Sequence, residues 1–240
     1  MRLTMKQKFW NFEKLITMLY GQRGEGLKEH NTDLAGMVKL CTGNHVQTSP
    51  LFMATIQGKE VYRSRTLFGS VRELFSTVTA CDEAKIGTYL CDAAYGNSSW
   101  GRRNASCYSM CINVDSVPEI DEMDMEEAGG YILGKYPALK KAKPNYVVRD
   151  GNGGLQILYI FAQNIAGRGK EITDLQKVLM QIFPELPEEN VQFCTDVCLP
   201  YSRGRRGHES DIVFCNGRVY DYDIFWKELL NMQEKEEKAG

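Results

Sequence analysis

Residues 144–161 read PNYVVRDGNGGLQILYIF. A β-branched and aromatic run at 146–149, a turn with three glycines in five residues at 150–154, and an apolar run at 155–161 spell a β-hairpin. Glycine tolerates φ > 0 and lets backbone N–H groups come close to a ligand, so this turn is able to cradle a phosphate or a sugar. Hairpins that bind nothing carry such turns as well. Gln156 interrupts a strand that otherwise reads Leu155, Ile157, Leu158, Tyr159, Ile160 and Phe161. A polar side chain in such a strand needs a partner, whether structural or a ligand.

Working outward, residues 107–115 read CYSMCINVD. As one strand, Tyr108, Met110, Ile112 and Val114 share a face, and Cys107, Ser109, Cys111, Asn113 and Asp115 share the other. Asn113 and Asp115 then emerge side by side at the strand's end. Two oxygen-bearing side chains so placed suit a hard divalent cation such as Mg²⁺ or Mn²⁺, although the same pattern also ends an ordinary strand before a turn. Downstream, residues 191–207, VQFCTDVCLPYSRGRRG, open as a strand and set Asp196 ahead of Arg203, Arg205 and Arg206. An acid followed by guanidinium groups matches a site handling metal and triphosphate, or a charged surface loop. Upstream, SSWGRRN at 98–104 offers Arg102 and Arg103 either to nucleic-acid phosphates or to solvent.

Helical spacing appears at 6–20, with Phe9, Phe12, Ile16 and Leu19 on one stripe, and at 170–183, with Leu175, Val178, Leu179 and Ile182. A capping-box pattern at Thr173 and Gln176 marks the start of the second, and Pro184 stops it. The acidic stretch 119–127 opens a helix running into Gly129. Residues 45–57 and 59–67 contain β-type fragments split by Gly58, while 70–79 and 82–91 read as mixed or helical. Asn216-Gly217 between 211–215 and 218–223 is a two-residue hairpin signal, and 223–232 is helical.

With 240 residues, 43% hydrophobic and 10% aromatic, the chain has the composition of a globular core. A net charge of -2 leaves no global basic field, so any nucleic-acid contact must be a local patch. No run approaches the roughly 18 apolar residues of a membrane span, and the N-terminus lacks signal-peptide order, which points to a cytoplasmic protein without membrane partners. Its eight cysteines then read as reduced thiols. The two C-x₃-C pairs, Cys107 with Cys111 and Cys194 with Cys198, begin on strands rather than on the turns that structural zinc uses, so they are assigned to the core and not to zinc.

The order of these pieces resembles the archaeo-eukaryotic primase (primase-polymerase) superfamily, particularly the primase-like domains of replication proteins from bacterial plasmids and mobile elements. The resemblance spans residues 98–222. The family's first motif is an apolar strand ending Asp-x-Asp or Asp-x-Glu, here Ile112-Asn113-Val114-Asp115. Its second, Asp-Ser-Gly-x-Gly-Leu-His between two strands, is here Asp150 through Gln156. Its third is an Asp before an Arg-rich stretch, here Asp196 through Arg206. Asn113, Gly151 and Gln156 depart from the family's acid, Ser and His.

The resemblance implies an α/β (α+β) fold with a central, mostly antiparallel, RRM-like sheet flanked by helices. Residues 1–97 are read as an N-terminal α/β part and 98–240 as the primase-like catalytic core with its C-terminal helix. It further implies a DNA primase or polymerase nucleotidyltransferase of plasmid or mobile-element replication, with DNA and nucleoside triphosphates as partners and a helicase or replication initiator beside it. Asp115 and Asp196 would be catalytic, holding Mg²⁺ or Mn²⁺ with Asn113. Gly153, Gly154, Gln156, Arg203, Arg205 and Arg206 would bind nucleotide, and Arg102 and Arg103 nucleic acid. The alternative is a catalytically inactive domain of this kind that binds DNA or nucleotides within an initiation protein. The neutral carbonyl of Asn113 brings one unit less negative charge to an ion than the acid it replaces.

Overall fold

Thr4 starts the chain's first helix: its hydroxyl accepts from the Gln7 N–H, and the Gln7 side chain accepts from the Thr4 backbone N–H. Helix α1, Met5–Ile16, buries Phe9, Phe12, Leu15 and Ile16, so the apolar stripe read from the sequence is its inner face. The computed structural model describes residues 3–21, 49–56, 59–64, 70–95, 105–114, 117–120, 122–151, 153–165, 168–182, 191–192, 195–203 and 209–237.

Two five-stranded sheets carry the fold. In the first, β1 (Ser49–Ile56) lies between β2 (Lys59–Ser64) and β3 (Ile86–Tyr95), all antiparallel. The far side of β3 is shared: β4 (Ala105–Cys107) pairs with its residues 93–95, and β9 (Asp196–Cys198) pairs with its residues 89–91. In the second, β6 (Tyr146–Arg149) and β7 (Leu155–Ile160) form the hairpin expected from 144–161. β10 (Asp211–Cys215) pairs with β6, and β5 (Ser109–Val114) pairs with β7 on one side and with β8 (Val191–Gln192) on the other. Residues 109–114, 146–149, 155–160 and 191–192 thus share a sheet, and the α+β class holds.

Helix α2, Val71–Glu83, is capped by the Ser70 hydroxyl. Helix α3, Met125–Lys135, is capped by Asp124 and Glu127 in a capping box. Helices α4 (Gly169–Ile182) and α5 (Tyr222–Glu237) follow, and a single helical turn, Ala138–Lys141, lies between α3 and β6. The second sheet is covered on both faces. Ile112, Val114, Ile157, Tyr159 and Phe161 meet Ile132 of α3, Leu175 and Leu179 of α4 and Phe225 of α5 in one core. Cys111, Tyr146, Val148, Leu158 and Ile160 meet Phe12 of α1, Leu74 of α2, Leu90 of β3 and Val197 of β9 in the other.

Four local expectations change. Residues 107–115 do not form one strand: the ladder breaks at Tyr108, where the chain leaves the first sheet for the second. Tyr108 therefore joins the same core as Cys111, not that of Met110. Asn216-Gly217 does not close a two-residue hairpin. The chain instead runs on so that the Tyr220 N–H donates to the Ile160 carbonyl, pairing Tyr220 with Phe161 in a parallel bridge. Thr173 lies inside α4, which starts a turn earlier at Gly169. Residues 82–91 divide between the end of α2 and the start of β3, with Lys85 at φ 59 making the turn.

Candidate functional site

The two sheets meet at Gln156. In the ladder Asn113 of β5 pairs with Gln156 of β7, and both side chains turn toward the first sheet. The Gln156 Nε2 group donates to Asn113 Oδ1 at 3.2 Å and to the carbonyl of Asp196 at 3.1 Å. Its Oε1 accepts from the Cys198 N–H at 2.7 Å. The last bond decides which way the amide faces, because only its oxygen can accept. Asn113 must then present its own oxygen to Gln156, and that oxygen also takes the Cys111 thiol at 3.5 Å. Gln156 is 6% exposed, whereas Asn113 and Asp196 are half-buried. One residue from each of three distant segments is thereby drawn to one point.

The glycine turn closes over the end of β5. Gly151 and Gly153 take φ of 50° and 85°, which the reversal requires and which a side chain disfavours. Gly154 is needed for a different reason: a Cβ there would lie 2.8 Å from the Val114 carbonyl oxygen. Its N–H donates to Asp150 Oδ1 at 2.8 Å, so Asp150 stabilises the turn. The Val117 N–H donates to the Gly153 carbonyl, tying the chain after Asp115 to the same turn. Arg149 adds a clamp through Nη1, which donates to the Ile120 carbonyl at 2.7 Å. Asp115 itself lies outside the described residues, as do Arg102, Arg103, Arg205 and Arg206.

Around β9, burial pushes the Cys198 thiol up to about 12, with the Asp150 charge adding to it, so this sulfur stays protonated at neutral pH. After β9 the chain enters the arginine stretch through Tyr201, a buried residue at φ 67°. A non-glycine residue there costs about 1 kcal/mol or more. The Tyr201 N–H bond to the Ser210 carbonyl at 2.8 Å and the edge-on contact with Phe75 hold it. Arg203 pairs with Asp82 of α2 at 3.1 Å and bridges in the backbone to Glu209, whose carboxylate pairs with Lys8 of α1. The mouth of the arginine loop is thus anchored to α1 and α2. Asp82, Lys8 and Arg149 carry no sequence signal of this role; each acts through a partner more than 20 residues away.

Among the described residues no group of three His, Cys, Asp or Glu side chains is placed to hold a metal ion. The oxygens that do meet at the junction, the Asn113 amide oxygen and the Asp196 backbone carbonyl, are hard donors of the class Mg²⁺ and Mn²⁺ take, and both accept from Gln156. No described helix is long and apolar enough to cross a membrane.

This two-sheet α+β chain is similar, at low sequence identity, to several solved domains. No family model matches it, and no curated protein does. Solved structures similar to it include the AEP domain of the primase-polymerase of cyanophage S-2L, at 14% identity and a TM-score of 0.46 over 81% of this chain and 96% of that one. Primase RepB' is similar at 10% identity and a TM-score of 0.43, over 84% of this chain and 62% of that one. The polymerase domain of Mycobacterium tuberculosis ligase D, solved in complex with DNA, is similar at 11% identity and a TM-score of 0.41, over 95% of this chain and 89% of that one.

Proposed function

We propose that this chain is a primase- or polymerase-like nucleotidyltransferase domain that binds DNA and nucleoside triphosphates in the replication of a plasmid or mobile element. The observation that carries the reading is the meeting of Asn113, Gln156 and Asp196, with the glycine turn packed on Val114 immediately before Asp115. Asp115 and Asp196 are the charged groups that would hold Mg²⁺ or Mn²⁺. Asn113 would add a neutral oxygen, the weak Cys111 thiol bond being the one an ion would displace. Such ions activate a 3′-hydroxyl and neutralise charge on the triphosphate. Gly153 would let nucleotide lie against the backbone, while Arg203, Arg205 and Arg206 would meet its phosphates and Arg102 and Arg103 those of nucleic acid.

The test is incorporation of dNTPs or NTPs on a primed template with Mn²⁺. Incorporation that disappears in Asp115→Ala and in Asp196→Ala supports the reading; incorporation that survives both overturns it. A second reading, a catalytically inactive domain that binds DNA or nucleotides, is favoured by one feature: the Asn113 oxygen is already turned to the Gln156 amide. That reading gives no incorporation, with salt-sensitive DNA binding that weakens when Arg203, Arg205 and Arg206 are replaced and survives loss of the acids. A helicase or initiator partner would be sought by pull-down with the replication proteins of the same element.

A further inference from the structure

We infer that Gln156 is a positioning residue: its amide fastens β9 to β5 and so sets where Asp196 stands beside the end of β5, and it does not itself meet the nucleotide. The inference rests on the nucleotide-site reading for its ligand, but its structural half stands on bonds that any readout of β9 can test.

A primary amide has two N–H donors and one carbonyl oxygen. Both donors of Gln156 are taken, by Asn113 Oδ1 and by the Asp196 carbonyl, and its oxygen is taken by the Cys198 N–H. At 6% exposure the side chain has neither a spare donor nor an open path for a phosphate oxygen. Among the described residues, the first sheet pairs with β9 through residues 89–91 of β3. From the second sheet, the Gln156 side chain bonds both the first residue of β9, Asp196, and its last, Cys198. Val148, Leu158, Leu90 and Val197 pack around it in the same apolar core. Apolar contacts fill space without fixing register, whereas two directed bonds from one residue fix the position of β9 along β7, and the third ties that residue to β5. The phosphate contacts are thereby left to the arginine stretch and the glycine turn.

The experiment compares Gln156→Leu, which keeps the volume and removes all three bonds, with Leu158→Ala, a buried change two residues along the same face that touches none of them. Amide hydrogen exchange is followed at Cys198 and across β5 and β7, and dGTP binding is titrated against Mn²⁺ in each protein. Gln156→Leu is expected to speed exchange at Cys198 about tenfold relative to the β5–β7 pairs and to raise the Mn²⁺ concentration needed for dGTP binding about tenfold. Leu158→Ala is expected to speed exchange across both strands alike and to leave the Mn²⁺ requirement unchanged. Unchanged protection of Cys198 in Gln156→Leu overturns the inference, as does an equal rise in Mn²⁺ requirement in both variants. If the wild-type protein binds no dGTP, the proposed function falls, and the fastening of β9 is still decided by exchange at Cys198.

Discussion

The two faces of the second sheet are built from alternate residues of the same strands, yet they do different things. On the face toward α3, α4 and α5, Ile112, Val114, Ile157 and Tyr159 are apolar from end to end and pack against a helix layer. On the face toward the first sheet, Leu158 and Ile160 give way at the hairpin end to Asn113 and to Gln156, which bonds a backbone carbonyl and an N–H of β9. The first face is held by area removed from water. The second face ends in directed bonds that fix one place, and a site needs a fixed place more than it needs stability.

Breaking each face in turn should show the contrast. The largest loss is expected on the helix side: Phe161 is fully buried against Tyr222 and Phe225, and Phe161→Ala should cost about 3–5 kcal/mol in urea unfolding. At the junction, Gly154→Ala forces a Cβ against the Val114 carbonyl and should cost about 1–3 kcal/mol, with the hairpin end moving off β5. A loss below about 0.5 kcal/mol would mean the turn adjusts freely and does not brace the strand leading to Asp115.

Asp211 sharpens the comparison by pH. Burial raises its carboxyl to about 6, partly offset by its bond from the Ile212 N–H and by Arg149 and Lys8, while Glu209 adds to the rise. A pKa raised above the unfolded value of 3.8 means the folded protein holds its proton longer, so Asp211 lowers stability as pH rises from about 4 to about 6. Asp211→Asn should therefore gain about 1 kcal/mol at pH 7 and nothing at pH 4, after allowance for solvent screening. An equal gain at both pH values would remove burial of charge as the cause. The smallest effect belongs to Asp82→Ala, which removes the partly exposed pair with Arg203. It should change stability by no more than about 1 kcal/mol, so any larger effect on nucleotide binding would report the arginine loop alone.

Much of this was legible in the residues. The glycine turn between two apolar runs marked the hairpin, and the break in β-character at Gln156 marked the polar junction, because both signals are local. The switch at Tyr108 was not legible, since an alternating run reads the same whether it stays in one sheet or crosses to another. The engagement of Gln156 with Cys198, 42 residues away, was equally hidden: a polar residue in a strand announces that it has a partner, not which one. Asn216-Gly217 misled because its turn chemistry is real, but Tyr220 finds a better backbone partner in Ile160 than in β10.

The most direct measurement is isothermal titration of dGTP with Mn²⁺ present, on the wild type and on Asp196→Ala. Metal-dependent binding in the wild type should be lost in the variant, while the variant's unfolding midpoint stays close to the wild type's. Binding of equal strength in both proteins, or none in either, would contradict a nucleotide site at this junction.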